Sequence, residues 1–167
     1  KEVVTMETVI PNFLKKRAEL TPNKVAITTG SASITFLQLY ERSVQLSYKL
    51  ASFGIKEGDY ISIYMGNSLS FVEVLFALKN LGCITVLHNT RLTSEELSYQ
   101  VKDANSNMII ADQDKLQNVD ALKENMTVIS WDDLNNATSL KTDLQHEINL
   151  SQTDTIMYTS GTTGFPK

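Results

Sequence analysis

The chain has 167 residues, 42% apolar and 20% charged, the balance of a folded domain with a real core rather than a disordered or fibrous segment. A formal charge of -4 leaves no basic face able to displace counterions, which excludes broad nucleic-acid binding. The single cysteine, Cys83, cannot close an internal disulfide and has no neighbouring His or second Cys to suggest a metal.

No secretory signal is visible, since Lys1, Glu2 and Glu7 break the first ten residues. From Val9 to Leu20, Ile10, Phe13, Leu14 and Ala18 fall at helical spacing and predict a helix with Pro11 in its first turn. Thr21-Pro22 ends it, because a residue before proline avoids the helical region. Val25–Thr28 and Ser33–Thr35 predict a hairpin across Gly30, Ser31 and Ala32. Thr35 with Gln38 forms a capping box for a helix that runs through Leu39, Leu46 and Leu50 to Gly54.

Tyr60–Tyr64 predicts a strand, Ser68–Leu81 a largely buried helix and Cys83–Leu87 a second strand. Phe71–Leu81 is the most apolar helical stretch, but Glu73, Lys79 and Asn80 make it too polar, and its length too short, to span a bilayer. Thr93 and Glu96 form a capping box for a helix to Ala104, with Leu92 placed to staple onto Leu97. Met108–Ala111 is a third strand. Strand and helix alternating at these spacings imply an α/β fold with a mostly parallel sheet flanked by helices. Val128–Ser130 predicts a further strand, Trp131–Leu134 a turn or short helix, Asn135–Asn149 a polar irregular excursion, and Asp154–Tyr158 one more strand.

That last strand runs into Thr159, Ser160, Gly161, Thr162, Thr163, Gly164, Phe165, Pro166 and Lys167. Glycines bring backbone amides close to a ligand, hydroxyls add short donors, and a lysine adds a point charge, a set suited to a phosphate chain at the carboxyl edge of a sheet. It is neither a Walker A loop, whose second glycine Pro166 replaces, nor the dinucleotide fingerprint, whose glycine spacing differs. Spacing alone also fits a flexible Ser/Thr/Gly linker.

Ser160–Lys167 resembles the signature phosphate loop of the adenylate-forming superfamily: acyl-CoA synthetases, peptide-synthetase adenylation domains and luciferases. Leu20–Ile27, Ile34–Leu39, Gly54–Asp59 and Asn89–Leu97 are similar to earlier segments of these enzymes and follow in the same order. The resemblance is weakest from Gln113 to Asn149. It implies that a carboxylic acid attacks the α-phosphate of MgATP, giving an acyl-adenylate, and that a thiol, usually of coenzyme A, then displaces AMP. Thr159, Ser160, Gly161, Thr162, Thr163 and Gly164 would wrap the β- and γ-phosphates, and Lys167 would support the loop or touch them. Tyr158, Phe165 and Pro166 would shape the loop. Many members have a proline where Thr90 stands; Asn89-Thr90-Arg91-Leu92 instead resembles the o-succinylbenzoate–CoA ligases of bacterial menaquinone synthesis. Ligases for fatty or aromatic acids, carrier-loading adenylation domains and a non-catalytic interaction domain remain open alternatives.

The resemblance makes residues 1–167 a partial N-terminal AMP-binding domain that ends at the phosphate loop 158–167, without the C-terminal domain. It places no catalytic residue and no metal ligand within the chain, and implies an enzyme whose partners are a small carboxylic acid, ATP, Mg2+ and coenzyme A; the lone cysteine and the lack of a visible signal or spanning segment lead to the expectation of a cytoplasmic protein. Homo-oligomerisation is compatible with the sequence. The isolated chain is expected not to form acyl-CoA; thioester formation by it in a thiol-capture assay would contradict this.

The remaining polar residues have plainer expectations. His88 is expected to be a hydrogen-bonded histidine at a seam, and Cys83 a buried core thiol. Arg91 is expected to pair with Glu95, Asn67 to cap the helix near Ser68, and Trp131 to pack. Asp132-Asp133 reads as a solvated turn, and His146 carries no signal.

Overall fold

The computed structural model describes residues 8–30 and 32–159. Its centre is a five-stranded parallel sheet in the order β7-β6-β4-β5-β9, built from β4 (Tyr60–Tyr64), β5 (Ile84–Leu87), β6 (Met108–Ala111), β7 (Thr127–Ser130) and β9 (Thr155–Met157). The α/β expectation and each of these strands are borne out, with ends moved by a residue at Cys83, Thr127, Asp154 and Tyr158.

Alternation along the strands sorts side chains to two faces. Ile61, Ile63, Ile110 and Ile129 meet α2 (Phe36–Ser52), α3 (Leu69–Asn80) and α6 (Trp131–Asn136) on one face. Tyr64, Ile109 and Ala111 meet α4 (Ser94–Asp103) and α5 (Leu116–Val119) on the other. Trp131 packs at the margin of the first cluster, and Leu92 joins Leu97 in the second.

Helix starts follow the sequence closely. Thr35 donates its N–H to Gln38 Oε1 at 2.9 Å and accepts the Gln38 N–H at 3.3 Å, and Thr93 and Glu96 repeat the exchange at 2.9 and 3.2 Å. Gly54, at φ +84°, supplies the left-handed residue that follows α2. Ser68, not Asn67, caps α3 by accepting the Phe71 N–H at 3.1 Å. Asp133 lies in the first turn of α6 rather than in a free solvated turn, and its carboxylate accepts the Ser130 hydroxyl at 2.7 Å.

The ends of the chain differ from expectation. Val9–Pro11 is a strand, β1, and the helix α1 (Phe13–Leu20) starts only after it. Ile10 is held extended by Pro11, and Asn12 caps α1 by accepting the Lys15 N–H at 3.2 Å. The partner of β1 is β8 (Glu147–Asn149), antiparallel to it and placed inside the stretch expected to be irregular. The expected hairpin is present as β2 (Val25–Thr29) and β3 (Ala32–Thr35); Ser31 lies outside the described residues.

A buried amide network ties these parts together. Asn12 Nδ2 donates to Asn80 Oδ1 at 3.1 Å and lies 3.3 Å from the Gln145 carbonyl. Asn80 Nδ2 in turn reaches Ser43 Oγ at 3.1 Å and Ser47 Oγ at 3.4 Å, while the Asn80 carbonyl accepts the Gln145 N–H at 2.7 Å. Among the described residues, no buried side-chain nitrogen or oxygen lacks a partner. Cys83 is buried as expected; burial, with Asp59 nearby, pushes its thiol up to about 12. Among the described residues no helix is long and apolar enough to cross a membrane.

Asn80→Ala is expected to cost about 2–3 kcal/mol of unfolding free energy, because it removes three hydrogen bonds of one buried network at once and leaves Asn12 Nδ2 only the Gln145 carbonyl. Urea denaturation checks this through the midpoint at unchanged slope; a loss below about 0.5 kcal/mol would show that the network relaxes freely.

Candidate functional site

Because all five strands run parallel, their carboxyl ends share one edge. The connection from β4 passes through α3 on one face and that from β5 through α4 on the other. β4 connects toward β5 while its other neighbour, β6, connects the opposite way toward β7, so the crevice between β4 and β6 is a topological switch point, where open α/β sheets place ligands. Asp112 follows β6 there, and along the same edge His88 follows β5 and Tyr158 and Thr159 follow β9. Thr159 is exposed; Ser160, Gly161, Thr162, Thr163, Gly164 and Lys167, the other expected phosphate-binding residues, lie outside the described residues.

Both ends of β9 are held by side chains. At its start, Lys79 from α3 pairs with Asp154 Oδ2 at 2.7 Å, reaches Thr155 Oγ1 at 2.9 Å and donates to the Asp154 carbonyl. Burial draws the Lys79 pKa below its usual value, against the opposing pull of Asp154. At its end, the Tyr158 hydroxyl lies 2.8 Å from Asp103 Oδ2 and 3.0 Å from the Gln100 carbonyl, both on α4. Burial, then Asp103, raises the phenol pKa well above its usual value, so Tyr158 is a neutral donor.

His88 is the hydrogen-bonded seam histidine that was expected. Its Nδ1 lies 3.0 Å from Gln100 Oε1 and its Nε2 2.9 Å from Ser62 Oγ on β4. With an amide oxygen as acceptor, the ring carries its proton on Nδ1 and accepts the Ser62 hydroxyl at Nε2. Burial lowers the His88 pKa, only partly opposed by Gln100, and the imidazole stays neutral. The Tyr158 ring lies over it, with centroids 6.3 Å apart and planes inclined by 15°.

Three partners at this edge went unread in the sequence. Gln100 and Asp103 stand three residues apart and so share one face of α4, the only signal available for them. Asp112, whose carboxylate accepts the Gly66 N–H at 2.7 Å, carried no local signal. Arg91 does not pair with Glu95. It precedes the Thr93 cap, where helical i,i+4 spacing does not hold, and its N–H instead donates to Asn89 Oδ1 at 3.0 Å. His146, outside this edge, contacts Lys15 Nζ through Nδ1 at 3.1 Å. No three His, Cys, Asp or Glu side chains converge to hold a metal among the described residues.

The neutral buried imidazole makes stability depend on pH. Its folded pKa lies below the ordinary 6.5, so the unfolded chain takes up a proton that the folded chain refuses. Stability is therefore lost as pH falls below about 6.5. Whatever His88→Gln costs at about pH 7.5, the gap between wild type and variant should narrow by about pH 5.5 in thermal unfolding. A gap that stays constant would contradict the neutral reading.

The family model described as AMP-binding enzyme matches residues 14–167. The chain is 41% identical over 162 residues to a 2-succinylbenzoate–CoA ligase of Geobacillus sp. (strain WCH70), covering 97% of this chain and 32% of that protein. It is similar to o-succinylbenzoate CoA synthetase from Bacillus subtilis in complex with the acyl-adenylate intermediate OSB-AMP, at TM-score 0.90 and 30% identity over 96% of this chain and 33% of that one. The same enzyme in complex with ATP and magnesium ion matches at TM-score 0.87 and 28% identity, over 96% of this chain and 42% of that one. The chain spans about a third of the length of the curated relatives it matches. On the match from Leu14 to Lys167, together with a parallel sheet that superposes on these ligases, the chain belongs to the AMP-binding enzyme family.

Proposed function

We propose that the protein carrying these residues is an ATP-dependent acid–CoA ligase acting on o-succinylbenzoate in menaquinone synthesis. The observation that supports this most is the 38–41% identity to 2-succinylbenzoate–CoA ligases over nearly the whole chain. The Asn89-Thr90-Arg91-Leu92 tract agrees with it. In this reading residues 1–167 are the opening part of the N-terminal AMP-binding domain, and a C-terminal domain lies beyond them. The protein works in the cytoplasm, where ATP and coenzyme A are at hand.

The reaction has two steps. A carboxylate oxygen of the acid attacks the α-phosphorus of ATP, the bond to the β-phosphate breaks, and pyrophosphate leaves with an acyl-adenylate formed. The thiol of coenzyme A then attacks the acyl carbon and AMP departs. Such chemistry depends on positioning and on neutralising phosphate charge. In this proposal the amides and hydroxyls of Thr159, Ser160, Gly161, Thr162, Thr163 and Gly164 hold the β- and γ-phosphates, and Lys167 supports the loop or meets the same charge. Magnesium enters as the companion of ATP, and no residue described here is assigned to it.

ATP–pyrophosphate exchange in the full-length protein tests the proposal. Exchange should depend chiefly on o-succinylbenzoate among succinylbenzoate, fatty, aromatic and amino acids. Lys167→Ala should raise KM for ATP about tenfold, the size of one charge-assisted contact, with KM for the acid unchanged. Exchange driven by another acid would move the substrate, and none with any acid would overturn the ligase assignment.

A further inference from the structure

The ladder between β9 and β5 ends at Met157, which pairs with Leu87. Beyond it the chain is held at Tyr158 by its side chain. The phenol reaches past the sheet edge to the end of α4, where its single proton is shared between Asp103 Oδ2 at 2.8 Å and the Gln100 carbonyl at 3.0 Å. The ring lies nearly parallel to His88, which is itself fixed by Ser62 and Gln100. Tyr158 is thereby tied to β4, β5 and α4 at once, and Thr159 is its direct neighbour in the chain.

A three-residue strand at the sheet's edge is a weak anchor by itself. Met157 is 68% exposed, so nothing apolar locks that residue in place. Lys79 secures only the opposite end of the strand. What sets the point and direction from which Thr159 leaves the sheet is the Tyr158 phenol and its carboxylate partner.

We propose that Tyr158, held by Asp103, is a positioning residue for the β- and γ-phosphates of ATP, fixing where the hydroxyl- and glycine-rich segment begins. This rests on the ATP-binding role assigned to residues 159–167 above. A phenol chosen only for packing would serve equally well as phenylalanine. Here the hydroxyl is spent on an exposed helix-end carboxylate, which contributes to geometry and leaves the core untouched.

AMP and ATP separate this role from a general structural one, because AMP lacks the two phosphates in question. In the full-length protein, calorimetric Kd values for ATP and for AMP are compared in wild type, Tyr158→Phe, Asp103→Ala and the double variant. Tyr158→Phe keeps the ring over His88 and loses only the anchor. It should weaken ATP about tenfold, the size of one hydrogen bond to a charged group, and leave AMP within about twofold. Asp103→Ala should do the same more mildly, about threefold, since the Gln100 carbonyl remains as acceptor, and Asp103→Asn, which keeps an acceptor oxygen, should recover most of that loss. The double variant should be no worse than Tyr158→Phe alone.

Equal weakening of ATP and AMP, unchanged ATP affinity, or additive losses in the double variant would each overturn the inference. If Tyr158→Phe does not fold, Asp103→Ala decides by itself, its side chain being exposed on α4. Wild-type protein that binds ATP no better than AMP and shows no exchange would bring down the ligase assignment and this inference with it. Wild-type protein active in exchange, with variants unaltered, overturns the inference alone.

Discussion

The side-chain amide of Asn80 is a buried polar group that two other stretches of chain satisfy together. Its oxygen accepts a hydrogen bond from the Asn12 amide at the start of α1, its nitrogen reaches two serines on α2, and its own residue ends α3. The backbone of the same residue receives Gln145, and through Asn12 and His146 the late segment is drawn against the chain's first strand. A desolvated amide left unpaired is costly, so these stretches are held in one arrangement or the penalty is met in full. Apolar packing on the sheet brings the helices near one another; the amide selects their relative position.

From that arrangement the chemistry-bearing edge follows. With α2 and α3 fixed on one face and α4 on the other, the carboxyl ends of the parallel strands are left along one edge. Lys79, one residue before Asn80, reaches β9 and sets where that strand enters the sheet. The network that closes the fold at one end of α3 thus stands beside the contact that aligns the strand leading to the hydroxyl- and glycine-rich segment. Membership of the AMP-binding enzyme family gives that alignment its significance, since the fold is shared with ligases of about three times the length.

What could be read directly from the sequence was whatever is decided within a few residues. The Thr35–Gln38 and Thr93–Glu96 boxes are local exchanges between a cap and its third neighbour, and both formed as expected. Strands rich in isoleucine and valine were equally plain, because buried parallel strands need apolar residues on both faces. The Val9–Pro11 strand was missed because its partner lies at Glu147–Asn149, in a polar stretch with no period of its own. The choice of Ser68 over Asn67 as the cap was a one-residue difference between two good capping residues. At the site, the phosphate-loop motif was conspicuous in composition. Gln100 and Asp103 were not, since their importance comes from Tyr158 arriving beside them from 55 residues or more further along.

Cys83 sits at the corner where β5 begins, its sulfur 3.4 Å from the Lys56 carbonyl and its thiol pushed up to about 12. It is the sole cysteine of the sequence, and only a thiolate reacts quickly with alkylating reagents. In the folded chain this sulfur is therefore silent toward them at neutral pH. Modification requires the corner between Lys56 and Cys83 to open, so the rate of labelling by a thiol reagent measures how often that corner breathes. A second cysteine placed at an exposed position of this chain would take a fluorophore with the native one left unlabelled.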